Sequence, residues 1–400
     1  MISPAMPSHS PSREAAAAPL RRRKRVLEVL FSFRVGGSEV VGLELAHQLS
    51  RAGAEVMCAA LDGIDGPLRE QCARFEIPVV DLGLPVRNVL GRNGLSLRLA
   101  NRLRELRLDA IHLQHFLALN KLGLPARLAG VPRVVVTEHS EAQLRDSAAG
   151  RLRLRLNWRL AHRITVIHPG LREYLRADIG IPFTRVAVIP NGIDTQRWQR
   201  SDREERRAAV GIGPEFVFLF VGRVEPVKDV PGLIRAFLQA APQFAAPAKL
   251  FVVGDGSDMP ICRALLERHP LRDRVVLAGQ QPDTRLYLAA ADAFVMNSRS
   301  EGAPRALVEA MCMGLPAICT AVGGIPELLE GRGWLTRSGD GPCLESALLE
   351  AVAQEEKRVQ FGLRAKHYVQ SRYDYREIVR QYQDVLGLGA SPTADAQILG

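Results

Sequence analysis

Two acids eight residues apart, Glu301 and Glu309, stand in the stretch SRSEGAPRALVEAMCMGLPAICTAVGGIPEL, residues 298–328. Glu301 lies in a loop with Gly302 and Pro304. Glu309 follows inside an apolar helical pattern, and Gly314-Leu315-Pro316 and Gly323-Gly324 come after it. A loop acid, a helix start and a second acid can hold a polar ligand at both ends. The free N–H groups of the helix's first turn point at whatever fills the cleft. Two carboxylates first suggest a glycosidase pair. A hydrolase also needs a water site opposite its leaving group, and Glu309 lies within an amphipathic helix. Its position suits a carboxylate that accepts hydrogen bonds from a ribose diol. The ordinary alternative is a solvated acid on a helix face.

Arg223 and Lys228 stand five residues apart in GRVEPVK, residues 222–228, directly after an apolar run. Such a loop can set two cations over one diphosphate, Arg as a fork and Lys as a point charge. Gly254-Asp255-Gly256 forms another turn after a strand, where backbone can approach a ligand closely. Gly36-Gly37 follows the first strand and precedes a helix, without the three-glycine spacing of a dinucleotide fingerprint. Thr137-Glu138-His139-Ser140 ends a further strand and makes His139, one of nine histidines, a candidate to face the cleft. No Asp-x-Asp and no His-x-x-x-His occurs. A diphosphate leaving group would then be neutralised by Arg223, Lys228 and helix N-termini, with no metal.

The elements that carry these residues alternate. Strand patterns run over Arg25–Phe33, Glu55–Leu61, Pro78–Leu82, Ala110–Gln114, Arg133–Thr137 and Ile164–Ile167. Helical patterns separate them, including Leu95–Leu106 and Leu119–Leu128. The rhythm restarts with strands over Phe216–Val221, Lys249–Val253, Arg274–Leu277, Ala293–Met296 and Ala317–Thr320. Helical patterns there cover Leu233–Ala241, Met259–Arg268, Leu286–Ala290, Arg305–Met313 and Gly341–Ala353. Alternation of this kind means βαβ units and parallel sheets. The chain reads as α/β with two Rossmann-like doubly wound domains facing a central cleft. The division is a Ser/Pro/Ala-rich tail over 1–22, a first domain over 23–190, a second over 191–358, a terminal helix over 359–388 and a tail over 389–400.

At 400 residues, 47% hydrophobic and 24% charged, the composition is globular and long enough for two cores. No apolar run reaches the length of a transmembrane helix, and the basic run 21–25 leads into a strand, unlike a secretory signal. Six scattered cysteines without a Cys-x-x-Cys pair fit reduced, buried thiols in a cytoplasmic protein. Residues 1–190 hold 28 Lys and Arg against 17 Asp and Glu, while residues 191–400 hold 25 against 26. The whole surplus lies in the first half, which points to an anionic partner or to an Arg-rich solvated surface. The segment RDSAAGRLRLRLNWRLAHR, residues 145–163, interleaves arginines with Leu152, Leu154, Leu156 and Trp158. It reads either as a membrane-surface helix or as a packed helix with snorkelling arginines, Arg155, Arg159 and Arg163 sharing a face with Leu152. Aromatics make up only 6%, which argues against a nucleic-acid binder.

Taken together, Gly36-Gly37, His139, Asn191-Gly192-Ile193-Asp194, Arg223-x4-Lys228, Gly254-Asp255-Gly256, Glu301-x7-Glu309 and Gly323-Gly324-Ile325-Pro326-Glu327 resemble the family-four retaining glycosyltransferases over about residues 25–385. The resemblance implies a GT-B fold, with a nucleotide-sugar held by the second domain and an acceptor by the first. It assigns His139, Glu301, Arg223 and Lys228 to catalysis. Donor binding falls to Gly36, Gly37, Arg223, Lys228, Gly254, Gly302, Ala303, Pro304, Arg305 and Glu309, with Glu309 on the ribose. It implies a hexosyltransferase that needs no metal and no cofactor, uses a UDP- or GDP-sugar and serves a glycan or lipid-linked acceptor in exopolysaccharide or cell-surface glycan synthesis. The setting would be the cytoplasm, at the inner face of an anionic membrane. The last helix would cross back to the first domain. Two positions depart from the pattern: many relatives carry Lys-Gly where this chain has Lys228-Asp229, and Ala303-Pro304-Arg305 replaces a more usual aromatic or apolar residue. Arg305 would contact an anionic donor sugar or stand exposed. The alternatives are a sugar-nucleotide epimerase of the same fold, with His112, His115 and Glu138 as candidates, or a degenerate scaffold protein.

Overall fold

The computed structural model describes residues 22–83, 96–140, 144, 148–199 and 202–389. The tails expected over 1–22 and 389–400 fall outside these residues except for Arg22 and Gly389, as does Arg145.

The strands are short runs rich in Val, Ile, Leu and Phe, as parallel strands covered on both faces must be. Six of them, β1 (Arg25–Leu30), β2 (Glu55–Ala60), β3 (Ala110–Gln114), β4 (Arg133–Glu138), β5 (Arg163–Val166) and β6 (Val186–Val188), form one sheet in the order β2-β1-β3-β4-β5-β6. The other six, β7 (Phe216–Val221), β8 (Ala248–Val253), β9 (Val275–Gly279), β10 (Ala293–Met296), β11 (Ala317–Thr320) and β12 (Trp334–Thr336), form a second sheet in the order β12-β11-β10-β7-β8-β9. Every pairing is parallel. Helices cover both faces of each sheet, and apolar clusters fill the layers between.

The order reverses between β1 and β3 in the first sheet and between β7 and β10 in the second. A crevice opens at the carboxyl ends of the strands where such a reversal occurs. Gly36-Gly37 and His115 follow β1 and β3; Lys228 and Glu301 follow β7 and β10. The topology therefore brings these four loops to the two switch points.

Several elements differ from their sequence-based reading. Pro78–Leu82 contributes only an isolated bridge between Val79 and Cys58. β6 and β12, each three residues long, are additional strands. Helices also form over Pro67–Arg74, Pro169–Tyr174, Arg203–Ala209 and Ile325–Leu329. The single helix expected over Val359–Leu386 is two, Glu355–Arg372 and Tyr375–Leu386. Tyr373 closes the first and Asp374 caps the second, its carboxylate accepting from Arg376 N at 2.9 Å. The second helix buries Ile378, Val379, Tyr382 and Leu386 among residues of the first sheet. The arginine-rich helix spans Ala148–Asn157 and a 3-10 turn Trp158–Leu160 follows; Arg163 opens β5 and shares no helix face with Leu152. Among the described residues, no helix is long and apolar enough to cross a membrane. Cys58, Cys72, Cys262, Cys312 and Cys319 are buried free thiols, and Cys343 is half-buried.

Candidate functional site

On the second sheet's side, Lys228 Nζ meets Glu301 Oε1, with side chains only 15% and 9% exposed. Ser298 Oγ donates to the same carboxylate oxygen at 2.6 Å, and Thr320 Oγ1 anchors the loop on Ser298 O at 2.6 Å. Arg223 lies apart from this unit. Its side chain is 71% exposed and pairs with Glu225 within the same loop. Asp229 is left-handed at φ 47°, a conformation that glycine adopts freely and Asp tolerates. Its carboxylate points to Asn297 Nδ2 at 3.3 Å and Arg299 Nη2 at 3.4 Å. Gly254 has φ 142°, and a Cβ there would come within 1.8 Å of Gly222 O. Glycine at 254 thus lets the turns after β7 and β8 pack backbone on backbone.

The helix Arg305–Cys312 begins at Pro304, its N-cap, so Gly302 and Ala303 form the loop before it. Arg305 is its first residue and is not free. Nη1 and Nη2 bind Glu44 Oε2 and Oε1 at 2.9 Å each, and Nε binds Glu309 Oε1 at 2.7 Å. The Tyr375 hydroxyl donates to Glu44 as well. Burial opposes the charge on Arg305, but the two carboxylates outweigh it and raise its pKa. Burial also dominates at Glu309 and raises its pKa, with Arg305 pulling the other way. Arg305 does not stand exposed: its guanidinium pairs with two acids of the protein.

On the first sheet's side, His139 is buried and its Nε2 meets Gln114 Oε1. Burial, then the neighbouring His115, pushes the His139 pKa down to about 3, so its ring is neutral. The two rings are 5.1 Å apart. His115 holds φ 79° and ψ 147°, a region that belongs almost wholly to glycine, and such strain clusters at functional sites. Its Nδ1 lies 3.2 Å from Glu138 Oε1 and its Nε2 3.0 Å from Ser38 Oγ. Burial opposes charge on His115, yet the Glu138 carboxylate prevails and raises its pKa. Glu138 also accepts from the backbone of Phe116, His139 and Ser140. Ser38 donates onward to Glu39 at 3.0 Å. Gly36 is the N-cap and Gly37 the first residue of the helix Gly37–Arg51.

The two sides meet. A Cβ on Gly302 would lie 2.7 Å from His139 O, and one on Gly324 would lie 3.4 Å from the His168 side chain. Glu301's loop therefore packs against His139, and the Arg305–Glu44 pair also joins the two sides.

A family model described as Glycosyl transferases group 1 matches residues 202–368, and one described as Glycosyltransferase Family 4 matches residues 35–197. The UDP-Gal:alpha-D-GlcNAc-diphosphoundecaprenol alpha-1,3-galactosyltransferase of Escherichia coli is 30% identical over 265 residues, covering 62% of this chain and 68% of that protein. The chain belongs to the group 1, family 4 glycosyltransferases. The N-acetyl-alpha-D-glucosaminyl L-malate synthase of Bacillus anthracis is 26% identical over 368 residues, 88% of this chain and 93% of that one. The Anabaena HepE protein, solved in complex with UDP, superposes with a TM-score of 0.78 at 23% identity, over 91% of this chain and 99% of that one. The fold of this glycosyltransferase is GT-B.

Sequence reasoning about this glycosyltransferase missed Glu44, Gln114 and Tyr375. Glu44 and Arg305 are 261 residues apart, and no local pattern links them. Gln114 left a trace as the last residue of a strand, where side chains reach the cleft. His115 and Glu138 stood among the candidates, but their direct pairing, and the contact of the other His115 nitrogen with Ser38, appear only in the fold.

Proposed function

We propose that this glycosyltransferase moves a sugar from a UDP-sugar to a lipid-linked glycan with retention of configuration, in exopolysaccharide or cell-surface glycan synthesis. The observation that carries the reading is the contact of Gly302 with the His139 carbonyl, which joins the Lys228–Glu301 unit to the first sheet's cleft wall. Lys228 would neutralise the diphosphate, with exposed Arg223 swinging in as a second cation. Gly254 and the Gly36-Gly37 turn would lie against its oxygens. Glu309, braced by Arg305, would accept from the ribose hydroxyls. Glu301 and the Gly302–Arg305 amides would read the transferred sugar, and neutral His139 would contact it near the reacting carbon. In the step itself the acceptor oxygen bonds to the anomeric carbon on the face that the phosphate leaves. The bond to the phosphate oxygen breaks, and that oxygen takes the acceptor's proton. No metal or cofactor enters this scheme.

Uracil is the base supported by the HepE neighbour, solved with UDP, and an isoprenoid-diphosphate acceptor is supported by the Escherichia coli relative. A lipid-linked acceptor requires work at the inner face of the cytoplasmic membrane. Leu152 and Leu156, 57% and 67% exposed and four residues apart, offer an apolar edge beside exposed Arg153. Arg155 is tied to Asp178 O at 2.6 Å, and Arg159 lies over Trp158.

The test is a thermal-shift screen of UDP-, GDP- and ADP-sugars in EDTA. A ligand at about 100 times its Kd adds about 2.7 kcal/mol of stability. UDP-sugars alone should stabilise, and NMR of the first product should show the donor's anomeric configuration. Stabilisation by none of them would overturn the reading. Binding to phosphatidylglycerol vesicles and not to phosphatidylcholine tests the membrane contact.

A further inference from the structure

A line of polar side chains runs through the core of the first sheet, where apolar residues would cost less. Glu28, His112, Gln114, Thr137 and Thr165 are at most 1% exposed. Burying such groups is costly unless each finds a partner, and here each does. Tyr382, on the helix that crosses back from the second half, lies 3.1 Å from Thr137 Oγ1. Thr137 also meets Thr165, and His112 Nε2 lies 2.6 Å from Thr137 Oγ1. His112 Nδ1 lies 2.8 Å from Glu28 Oε2, and Gln114 Nε2 donates to Glu28 Oε1 at 2.6 Å. Gln114 Oε1 then faces His139 Nε2 at the cleft.

The direction of these bonds decides the state of the last ring. An amide has one donating and one accepting end. Glu28 takes the donating end of Gln114, so the accepting end is left for His139. His139 Nε2 must then carry the hydrogen, and Nδ1 keeps its lone pair. Turning the amide over would set Gln114 Oε1 against the Glu28 carboxylate and lose that bond, and the amide N–H would then meet His139 Nε2 only in the opposite tautomer, so it is Glu28 that selects the amide's orientation. Room for the amide is made by Gly42, in the middle of the helix Gly37–Arg51. A Cβ there would lie 3.1 Å from Gln114 Nε2 and 2.6 Å from Leu30 Cδ2. A glycine inside a helix costs about 1 kcal/mol relative to alanine.

We propose that Gln114 is a positioning residue of the transferase, holding His139 in the Nε2–H tautomer and in one orientation, with Glu28 setting the amide. The inference rests on the reading that His139 contacts the transferred sugar. Gln114 touches no reacting atom in that scheme and acts through His139. The titratable groups facing the His139 ring are His115, Glu138 and His112. With burial they leave it uncharged, so a fixed tautomer presents one defined pattern of donor and acceptor to the cleft.

The test uses the full chain, histidine-labelled with 15N, and the variants Gln114→Met and Gln114→Glu. In the wild type, His139 should show a protonated Nε2 and a bare Nδ1 by NMR at neutral pH. Gln114→Met should mix the tautomers and lower kcat by roughly 10-fold, the effect of a loosened geometry, with donor KM within about 2-fold. Gln114→Glu sets a carboxylate beside the ring and favours its charged form. Its kcat should gain an acid limb that the wild type lacks. A wild-type ring protonated on Nδ1 overturns the proposal, whatever the variants do. So does Gln114→Met with wild-type kcat. The NMR readout needs no substrate, so failure of UDP-sugars to bind would strike the proposed function and leave this assignment to its own result.

Discussion

Glu44 and Arg305 face each other across the cleft as a bidentate pair, two N–H···O bonds of 2.9 Å joining a helix of the first half to the helix that carries Glu309. Through Arg305 Nε the same guanidinium also holds Glu309 at 2.7 Å. Arg305→Ala would leave Glu44 and Glu309 facing each other without their cation. Burial already raises the Glu309 pKa, and loss of Arg305 removes the main force holding it down. A protonated Glu309 is a weaker acceptor for ribose hydroxyls. Arg305→Ala should weaken UDP binding by about 10-fold or more, measured by calorimetry, at the scale of one charged hydrogen bond. A double-mutant cycle with Glu44→Gln in urea should give a coupling of about 1–3 kcal/mol.

Lys228 and Glu301 make a second pair whose energetics separate chemistry from folding. Lys228→Ala should lower kcat/KM by about 100-fold or more, the scale of losing one group that stabilises developing charge. It also leaves Glu301 nearly buried without its cation, which costs about 3 kcal/mol. Lys228→Ala with Glu301→Gln should recover most of that stability and none of the turnover. Recovered turnover in the double variant would show that Lys228 serves only to neutralise Glu301.

The His115 and His139 rings answer pH in opposite senses. His139 falls from 6.5 to about 3 on folding. The unfolded chain therefore binds the extra proton below pH 6.5, and stability drops by about 1.4 kcal/mol per unit as pH falls toward 3. His115 is raised above 6.5, so its contribution is full below that pH and is lost as pH rises through its folded value. His139→Gln keeps a donor for Gln114 and cannot titrate. Between pH 6.5 and 5 the wild type should lose about 2 kcal/mol more than this variant, read from urea unfolding at each pH.

How far these relationships were legible depends on their range. Strands β3, β7, β10 and β11 fall where their apolar runs say, because a strand buried on both faces has little other choice. Lys228, Glu301 and His139 could be singled out because residues after strand ends carry position in a doubly wound fold, and the structure places them after β7, β10 and β4. The break between the last two helices was missed because Val369 and Tyr373 carry one apolar face up to Asp374, and Tyr375, Ile378, Val379 and Tyr382 begin another at once in a new phase. Asp374 followed three residues later by Glu377 was the readable sign, an acid at the N-cap with another at the third helical position. The pairing of Glu44 with Arg305, and the chain from Tyr382 to His139, were invisible for another reason. They depend on how separate elements dock, which no local spacing encodes.

Asp229 supplies the last prediction, because two effects on it oppose each other. Its φ of 47° suits glycine, so Asp229→Gly relieves strain of about 1 kcal/mol. The same change removes the carboxylate acceptor of Asn297 Nδ2, whose bond to the residue-229 carbonyl stays, and the partner of Arg299, weak contacts at 3.3 and 3.4 Å. These are worth about 1 kcal/mol together. Stability should thus stay within about 1 kcal/mol of wild type. The nucleotide should respond more clearly. A carboxylate adjacent in sequence to Lys228 repels a diphosphate, and its loss also frees Arg299 for the ligand. Asp229→Gly should bind UDP about 2- to 5-fold more tightly, a gain of about 0.4–1 kcal/mol that fits one partly screened charge. The gain should shrink as salt rises from 50 to 500 mM. Weaker binding by the glycine variant would mean that Asp229 serves the ligand directly and that its hold on Asn297 and Arg299 is given up when the site fills.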